Sequence, residues 1–372
     1  MSTLKVDSIE SRTSGNRVVL PDVNNYSPFR NIIINGDMSV AQRATSASSI
    51  ASNGYHSCDR WRYAESSSAV VTISQATDVP TGQGFAKSFK VDCTTADASL
   101  GAAENVLLQQ KIEGQNLQYL KKGTSSAESL TLSFWVKSTK TGTFIAMLYD
   151  RDNTRQIAKS YTVSSSDTWE KKTITFAGDT SGTLDNDNAS SLELWLWLGV
   201  GSNYSSGTLA TSWETETAAN QAVGQVNAVD STSNNFLITG VQLEVGDSAT
   251  PFEFLPRDVN KNRCLRYFQD LAPKKNDCRI ALGEVVTASR CDPIFQYVEK
   301  RANPSVTFTA ANTFSLYNAA TSRDCSSISA DNFSKISGNL NANVSSGLTP
   351  TGGASQFITN GTGSQIFVDA EL

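Results

Sequence analysis

From Ser129 to Lys137 apolar and polar residues alternate without a break. Leu130, Leu132, Phe134 and Val136 fall on one side, and Thr131, Ser133, Trp135 and Lys137 on the other. A period of two marks a strand with one buried and one wet face. Stretches of the same kind run over 69–73, 85–91, 143–149, 169–176 and 192–198, separated by turn-rich segments. Residues 32–34 read as a further strand ending on Asn35 and Gly36, and 236–245 as a strand apolar on both faces, stopped by Gly246, Asp247 and Pro251. The spacing predicts an all-β sandwich of about eight strands in two antiparallel sheets. Residues 109–120 form the only candidate helix in this part, weakened by Gly114.

Past Pro256, with Asp258 as N-cap, a short helix is expected, with Val259, Cys264, Tyr267, Phe268 and Leu271 near one face. Strands follow over 279–286, 294–299, 305–309, 314–317 and 366–372. The Ser-, Asn- and Gly-rich stretch 326–363 alternates only thinly, at Phe333, Ile336, Leu340 and Val344, and suits loops or strands packed in an oligomer. No fixed-period repeat is present, which argues against a solenoid or β-helix. Before the sandwich, Leu4, Val6 and Ile9, a turn at Ser14-Gly15-Asn16 and the run Val18 to Leu20 make two short strands. A hairpin this small is marginal by itself, so it needs partners. The expected organisation is an N-terminal attachment or oligomerisation arm (1–29), a sandwich (30–256), and a helix with a smaller C-terminal β domain (257–372).

Composition narrows the chemistry. The formal net charge is -5 and no Lys/Arg cluster is present, which argues against nucleic acid. No run of about 18 apolar residues exists, so no membrane span is expected, and the start of the chain lacks a signal pattern. Six cysteines, at 58, 93, 264, 278, 291 and 325, show no Cys-x-x-Cys spacing and read as buried reduced thiols. The single histidine, His56, sits in a loop without a nucleophile elbow and gives no basis for a Ser-His or Cys-His mechanism.

Three segments carry a resemblance: Asn31-Ile-Ile-Ile-Asn-Gly-Asp-Met38 with Gln42-Arg43, then Asp59-Arg60-Trp61, then Gly240-Val-Gln-Leu-Glu244. Together they resemble tail fibres and related virion appendages of tailed bacteriophages, in which a carbohydrate-binding-module-like jelly-roll domain closes on a Gly-Val-Gln-Leu-Glu strand. Arg301-Ala-Asn-Pro304 and Val368-Asp-Ala-Glu-Leu372 extend the match to the C-terminal part. The resemblance implies the jelly-roll strand order, which alternation does not separate from an immunoglobulin-like one. It also implies a homotrimer, attachment to other virion proteins through the N-terminal arm, and a virion location after folding in a host cytoplasm. Similar jelly rolls often hold a structural calcium, here on Asn35, Asp37 and Glu244, oxygen donors suited to a hard cation. Gly240 stands where those modules often carry an acid. Asp150, Asp152 and Asn153, or the stretch 185–188, offer other oxygen sets that read first as polar turns.

Glycan contact is the candidate activity. In Leu192-Glu-Leu-Trp-Leu-Trp-Leu198 the leucines share one face, and Glu193, Trp195 and Trp197 the other, a flat platform on which a sugar ring can stack unless a second layer covers it. Tyr204 and Trp213, on the long polar insertion 199–235, either join a ligand or pin the loop. No carboxylate pair stands out for glycoside hydrolysis. The expected function is a non-enzymatic bacteriophage tail fibre or receptor-binding appendage that contacts host surface polysaccharide. The alternatives are a capsid-decorating or head fibre protein and a polysaccharide depolymerase.

Overall fold

The structure, a computed structural model, describes residues 29–272, 275–350 and 353–372. The N-terminal arm lies outside the described residues. Asn31–Leu372 forms one compact unit, built almost entirely of antiparallel strands.

Its first half is a sandwich. In chain order the strands are β1 (Ser46–Ile50), β2 (Arg62–Glu65), β3 (Val70–Ala76), β4 (Ser88–Thr95), β5 (Asn105–Glu113) and β6 (Leu130–Ser138). Then come β7 (Gly142–Asp150), β8 (Arg155–Val163), β9 (Glu170–Phe176), β10 (Ser190–Val200), β11 (Glu214–Thr215) and β12 (Asn235–Val245). They form two six-stranded sheets, ordered β1-β3-β4-β12-β6-β9 and β11-β8-β7-β10-β5-β2. Because strands near in sequence are dealt to opposite sheets, the pattern is the jelly-roll sandwich, with more strands than expected. Leu132, Phe134 and Val136 of β6 meet Leu192, Leu194 and Leu196 of β10 in the common core.

Two expected elements are different. Residues 32–34 are not a strand. Asn35 and Met38 take positive φ (59° each), and the segment finds partners outside a ladder. Ile34 N donates to Gln110 Oε1 (2.7 Å) and Asn35 N to Asn260 Oδ1 (3.2 Å). The predicted helix over 109–120 is instead β5 running into two 3-10 turns, Gly114–Asn116 and Gln118–Leu120. A Cβ on Gly114 would lie 1.9 Å from the Asp185 carbonyl oxygen, so the glycine serves close packing of the chain at a strand end.

The sandwich starts and finishes at one point. Asn31 N donates to Glu253 Oε2 (3.0 Å), and Asn31 Nδ2 to the Val241 carbonyl (3.1 Å), while Asn31 Oδ1 accepts from Leu243 N (3.1 Å). Gly36 lies so close to β12 that a Cβ would stand 2.1 Å from the Val241 oxygen. The opening and closing sequence signatures are thus in direct contact.

Helix α1 (Arg257–Leu265) follows, with Pro256 at the N-cap position and Asp258 in the first turn, where its charge suits the helix dipole. It ends before Tyr267, and Phe268 already belongs to β13 (Phe268–Asp270). The remaining strands are β14 (Arg279–Thr287), β15 (Arg290–Gln296), β16 (Ser305–Phe308), β17 (Phe314–Asn318) and β18 (Thr321–Asp324), then β19 (Ser327–Asp331), β20 (Ser337–Asn343), β21 (Ala354–Thr359) and β22 (Ile366–Asp369). A three-stranded sheet, β13-β22-β16, and a seven-stranded one, β18-β17-β21-β14-β15-β20-β19, enclose a second core around Phe314, Leu316, Leu340 and Phe357.

Arginines join the two halves. Arg60, 1% exposed, pairs with Glu371 and stacks its guanidinium 3.5 Å from the Tyr267 ring centre. Arg43 binds Asp369 (2.9 Å) and lies 3.5 Å from the Phe268 ring centre. Arg266 grips Glu113 with two bonds of 2.8 Å, and Arg301 donates to the Asn188 and Glu371 carbonyls (3.0 and 2.8 Å). The signature residues Arg43, Arg60, Arg301 and the 368–372 segment therefore act as a junction. All six cysteines are free thiols; five are buried and Cys278 is half-buried.

Candidate functional site

The expected tryptophan platform is not a single surface. Trp197 is 1% exposed, because the 199–235 insertion folds across the outer face of the β10 sheet and forms a small core with Tyr204, Leu209, Ala210 and Ala222. Tyr204 packs on Trp197 at 5.8 Å between ring centres. Trp213 is half-buried elsewhere, its Nε1 donating to the Ala177 carbonyl (2.7 Å) and its ring 5.3 Å from Lys122 Nζ. These three rings pin the insertion. Trp195 is half-exposed, stacked on Tyr149 at 5.2 Å, with its Nε1 bound to Glu193 (2.7 Å).

The calcium set implied by the resemblance does not fit this structure. Asn35 spends its side chain on Val40 and the Asp59 carbonyl. Asp37 Oδ1 accepts from Ser39 and Asn260, and both oxygens of Glu244 accept from Thr250. Oxygens facing N–H and O–H donors are poor cation ligands. Among the described residues no three acidic, histidine or cysteine side chains converge to hold a metal. The Asp150 alternative is filled by the chain itself. Lys122 Nζ binds Asp150, Asp179 (3.0 Å), and the Ser181 and Gly182 carbonyls (3.0 and 2.8 Å), so an ammonium occupies that oxygen cage. His56 stays in its loop against the Ser52 carbonyl (3.1 Å), with burial lowering its pKa.

An open site lies on the outer face of the other sheet. β6 is buried on its leucine side by the sandwich core, which turns Ser133 and Trp135 outward. Register places Trp135 beside Thr239 of β12 and Lys171 of β9. Next to Thr239 the ladder slips between Thr239 and Gln242, and Gly240 takes φ +62°. This bulge leaves a gap that Phe85 fills: a Cβ on Gly240 would stand 2.5 Å from the ring. Phe252 and Phe254 close on Phe85 with ring centres 5.1 Å away, and on each other at 4.9 Å. Gly84, at φ +83°, leaves room for the Phe254 ring.

The result is a cleft of about 480 Å³ lined by Gln83, Phe85, Ser133, Trp135 and Lys171, with Ala249 to Phe252 and Phe254. Trp135 is half-exposed, and among the described residues its Nε1–H has no acceptor. Farther along the same face a second recess of about 370 Å³ is lined by Gln75, Asp78, Lys90, Asp167 and Leu237. Lys137 there binds Asp78 (2.9 Å) and Asp167 (3.0 Å), and Trp169 Nε1 binds Asp78 (2.9 Å). The alternation over 129–137 puts Trp135 on the wet face, in agreement with its place here. The usable signal was a large indole on an otherwise polar strand face, followed far along the chain by an aromatic pair beside Pro251.

No protein-family model matches the sequence, and no curated protein matches it significantly. Among solved structures the chain is similar to the enzymatically active domain of tailspike protein 4 of bacteriophage CBA120, at 15% identity and a TM-score of 0.33. That match covers 59% of this chain and spans only 22% of the tailspike chain. The chain is also similar to TmCBM61 in complex with beta-1,4-galactotriose (11% identity, TM-score 0.30, 58% of this chain and 99% of that one). The family 11 carbohydrate-binding module of the Clostridium thermocellum cellulase Lic26A-Cel5E gives 15% identity and a TM-score of 0.28, over 57% of this chain and 99% of that one. At scores this low the likeness defines neither ligand nor activity.

Proposed function

We propose that this chain is a non-enzymatic glycan-binding protein of a bacteriophage appendage, holding host surface polysaccharide without cleaving it. The observation that carries the binding reading is the Trp135 cleft. It is open, and its lining joins the rings of Phe85, Trp135, Phe252 and Phe254 to the amide of Gln83, the hydroxyl of Ser133 and the ammonium of Lys171, a mixture that suits the two-sided character of a sugar ring. No acid lines it, whereas glycoside hydrolysis runs on a carboxylate pair. The virion assignment is supported by the opening and closing signatures and by the arginine junction they form. Leu282 and Ile294, opposite each other in register and 63% and 62% exposed, support self-association, with a trimer as the state.

The test is adsorption of labelled protein to host cells in competition with phage. Saturable binding that falls with Trp135→Ala supports the proposal; folded oligomer that binds no host surface overturns it. Light scattering that returns a monomer overturns the trimer.

A further inference from the structure

The charge of the cleft is uneven in a way that selects among sugars. Three strand lysines project from this sheet face: Lys90, Lys137 and Lys171. Lys90 is paired with Asp92 (3.1 Å), and Lys137 with Asp78 and Asp167. Lys171 is exposed, lines the cleft and has no acidic partner among the described residues. It is the only charged side chain in the lining. Its strand register sets it directly across from Trp135, and facing cross-strand residues have Cβ atoms about 5 Å apart.

This places an unneutralised ammonium at the edge of an aromatic stacking surface. A pyranose lying flat on an indole directs its equatorial substituents outward in the ring plane. A carboxylate on the sugar's C5 therefore reaches sideways, toward a cation beside the indole, and not down into the ring. A neutral hexose offers Lys171 only a hydroxyl. A cation at an exposed edge gains more from a charge-assisted hydrogen bond than from a neutral one. The apolar wall of Phe85, Phe252 and Phe254 then covers a neighbouring residue of the polymer.

We propose that the cleft takes an acidic polysaccharide, with a hexuronic acid stacked on Trp135 and its carboxylate on Lys171 Nζ. The assignment rests on the glycan reading of the same cleft and adds the class of sugar. The probes are alginate, polygalacturonate and hyaluronate, each compared with the same polymer after its carboxyls are reduced to primary alcohols. Retardation of the full chain is measured by affinity electrophoresis.

The expected result is binding to a uronate polymer that weakens about tenfold on carboxyl reduction, the scale of one hydrogen bond to a charged group. Lys171→Gln should cause a similar loss on the acidic polymer and none on the reduced one, and Lys171→Arg should retain binding. Equal binding to acidic and reduced polymers, untouched by Lys171→Gln, overturns the acidic assignment and leaves the glycan cleft standing. Binding to none of the polymers by folded protein overturns the acidic assignment, and binding indifferent to Trp135→Ala overturns the cleft as the glycan site.

Discussion

Phe85 occupies the space that a side chain on Gly240 would need, with the ring 2.5 Å from where that Cβ would be. The glycine thereby sets the aromatic wall of the cleft as well as the bulge in β12. Gly240→Ala must both hold φ +62° and push the ring aside, so it should cost about 2–4 kcal/mol from strain and overpacking together. Urea unfolding checks the stability, and glycan retardation should fall in the same variant.

The tryptophans should separate by consequence. Trp135→Ala, at a half-exposed position, should leave the unfolding midpoint nearly unchanged and weaken glycan binding by about 1–3 kcal/mol. Trp197→Ala removes a buried ring from beneath the insertion and should cost about 3–5 kcal/mol of stability. If Trp197→Ala unfolds like the parent protein, the insertion core is not a stabilising layer.

Glu371→Ala leaves Arg60 buried without its carboxylate. Breaking a buried ion pair from one side costs about 3–5 kcal/mol, and here the loss falls on the contact between the sandwich and the C-terminal sheets. Proteolysis should then cut near the junction before either core is lost, which mass spectrometry of limited digests can follow.

Acid should loosen the same junction. Burial works to raise the Glu113 carboxyl, but the hydrogen bonds from Arg266, helped by Tyr267, prevail and hold it below its ordinary value of 4.5. A depressed carboxylate gives stability that is fully present above that ordinary value and lost as pH falls through the folded one. The denaturation midpoint should therefore decline below about pH 4.5, and Glu113→Gln should flatten that decline while lowering stability at neutral pH.

The sequence made β6 legible because one of its faces meets the core and the other does not, so alternation survives along its whole length. The end of β5, from Gln109 to Glu113, reads as a helix for the opposite reason. Ile112 packs into the main core, yet Gln109, Gln110 and Glu113 are buried as well, so the polar positions do not mark a wet face and the period of two disappears. Residues 32–34 carry strand-like composition, yet Ile32 N donates to the Leu243 carbonyl, Ile33 N to Asn31 Oδ1 and Ile34 N to Gln110 Oε1, a set of partners that no local pattern announces. The cleft was illegible for a related reason. Trp135, Phe85 and Phe252 come from three distant segments, and only the sheet order brings them together. Trp195 and Trp197, two residues apart in sequence, are easier to see, and both are engaged in packing.

The bond from Asn31 to Glu253 closes the sandwich into a loop of chain whose two ends touch. A unit of that kind can be lifted out of one polypeptide and set into a surface loop of another without stretching either, since the host needs to open by no more than the width of two adjacent strands. What a new host would have to supply is the other side of the arginine junction: a ring for Arg60 to lie against and an acid to meet it. Such a cassette is portable in its backbone and selective in the neighbours it accepts.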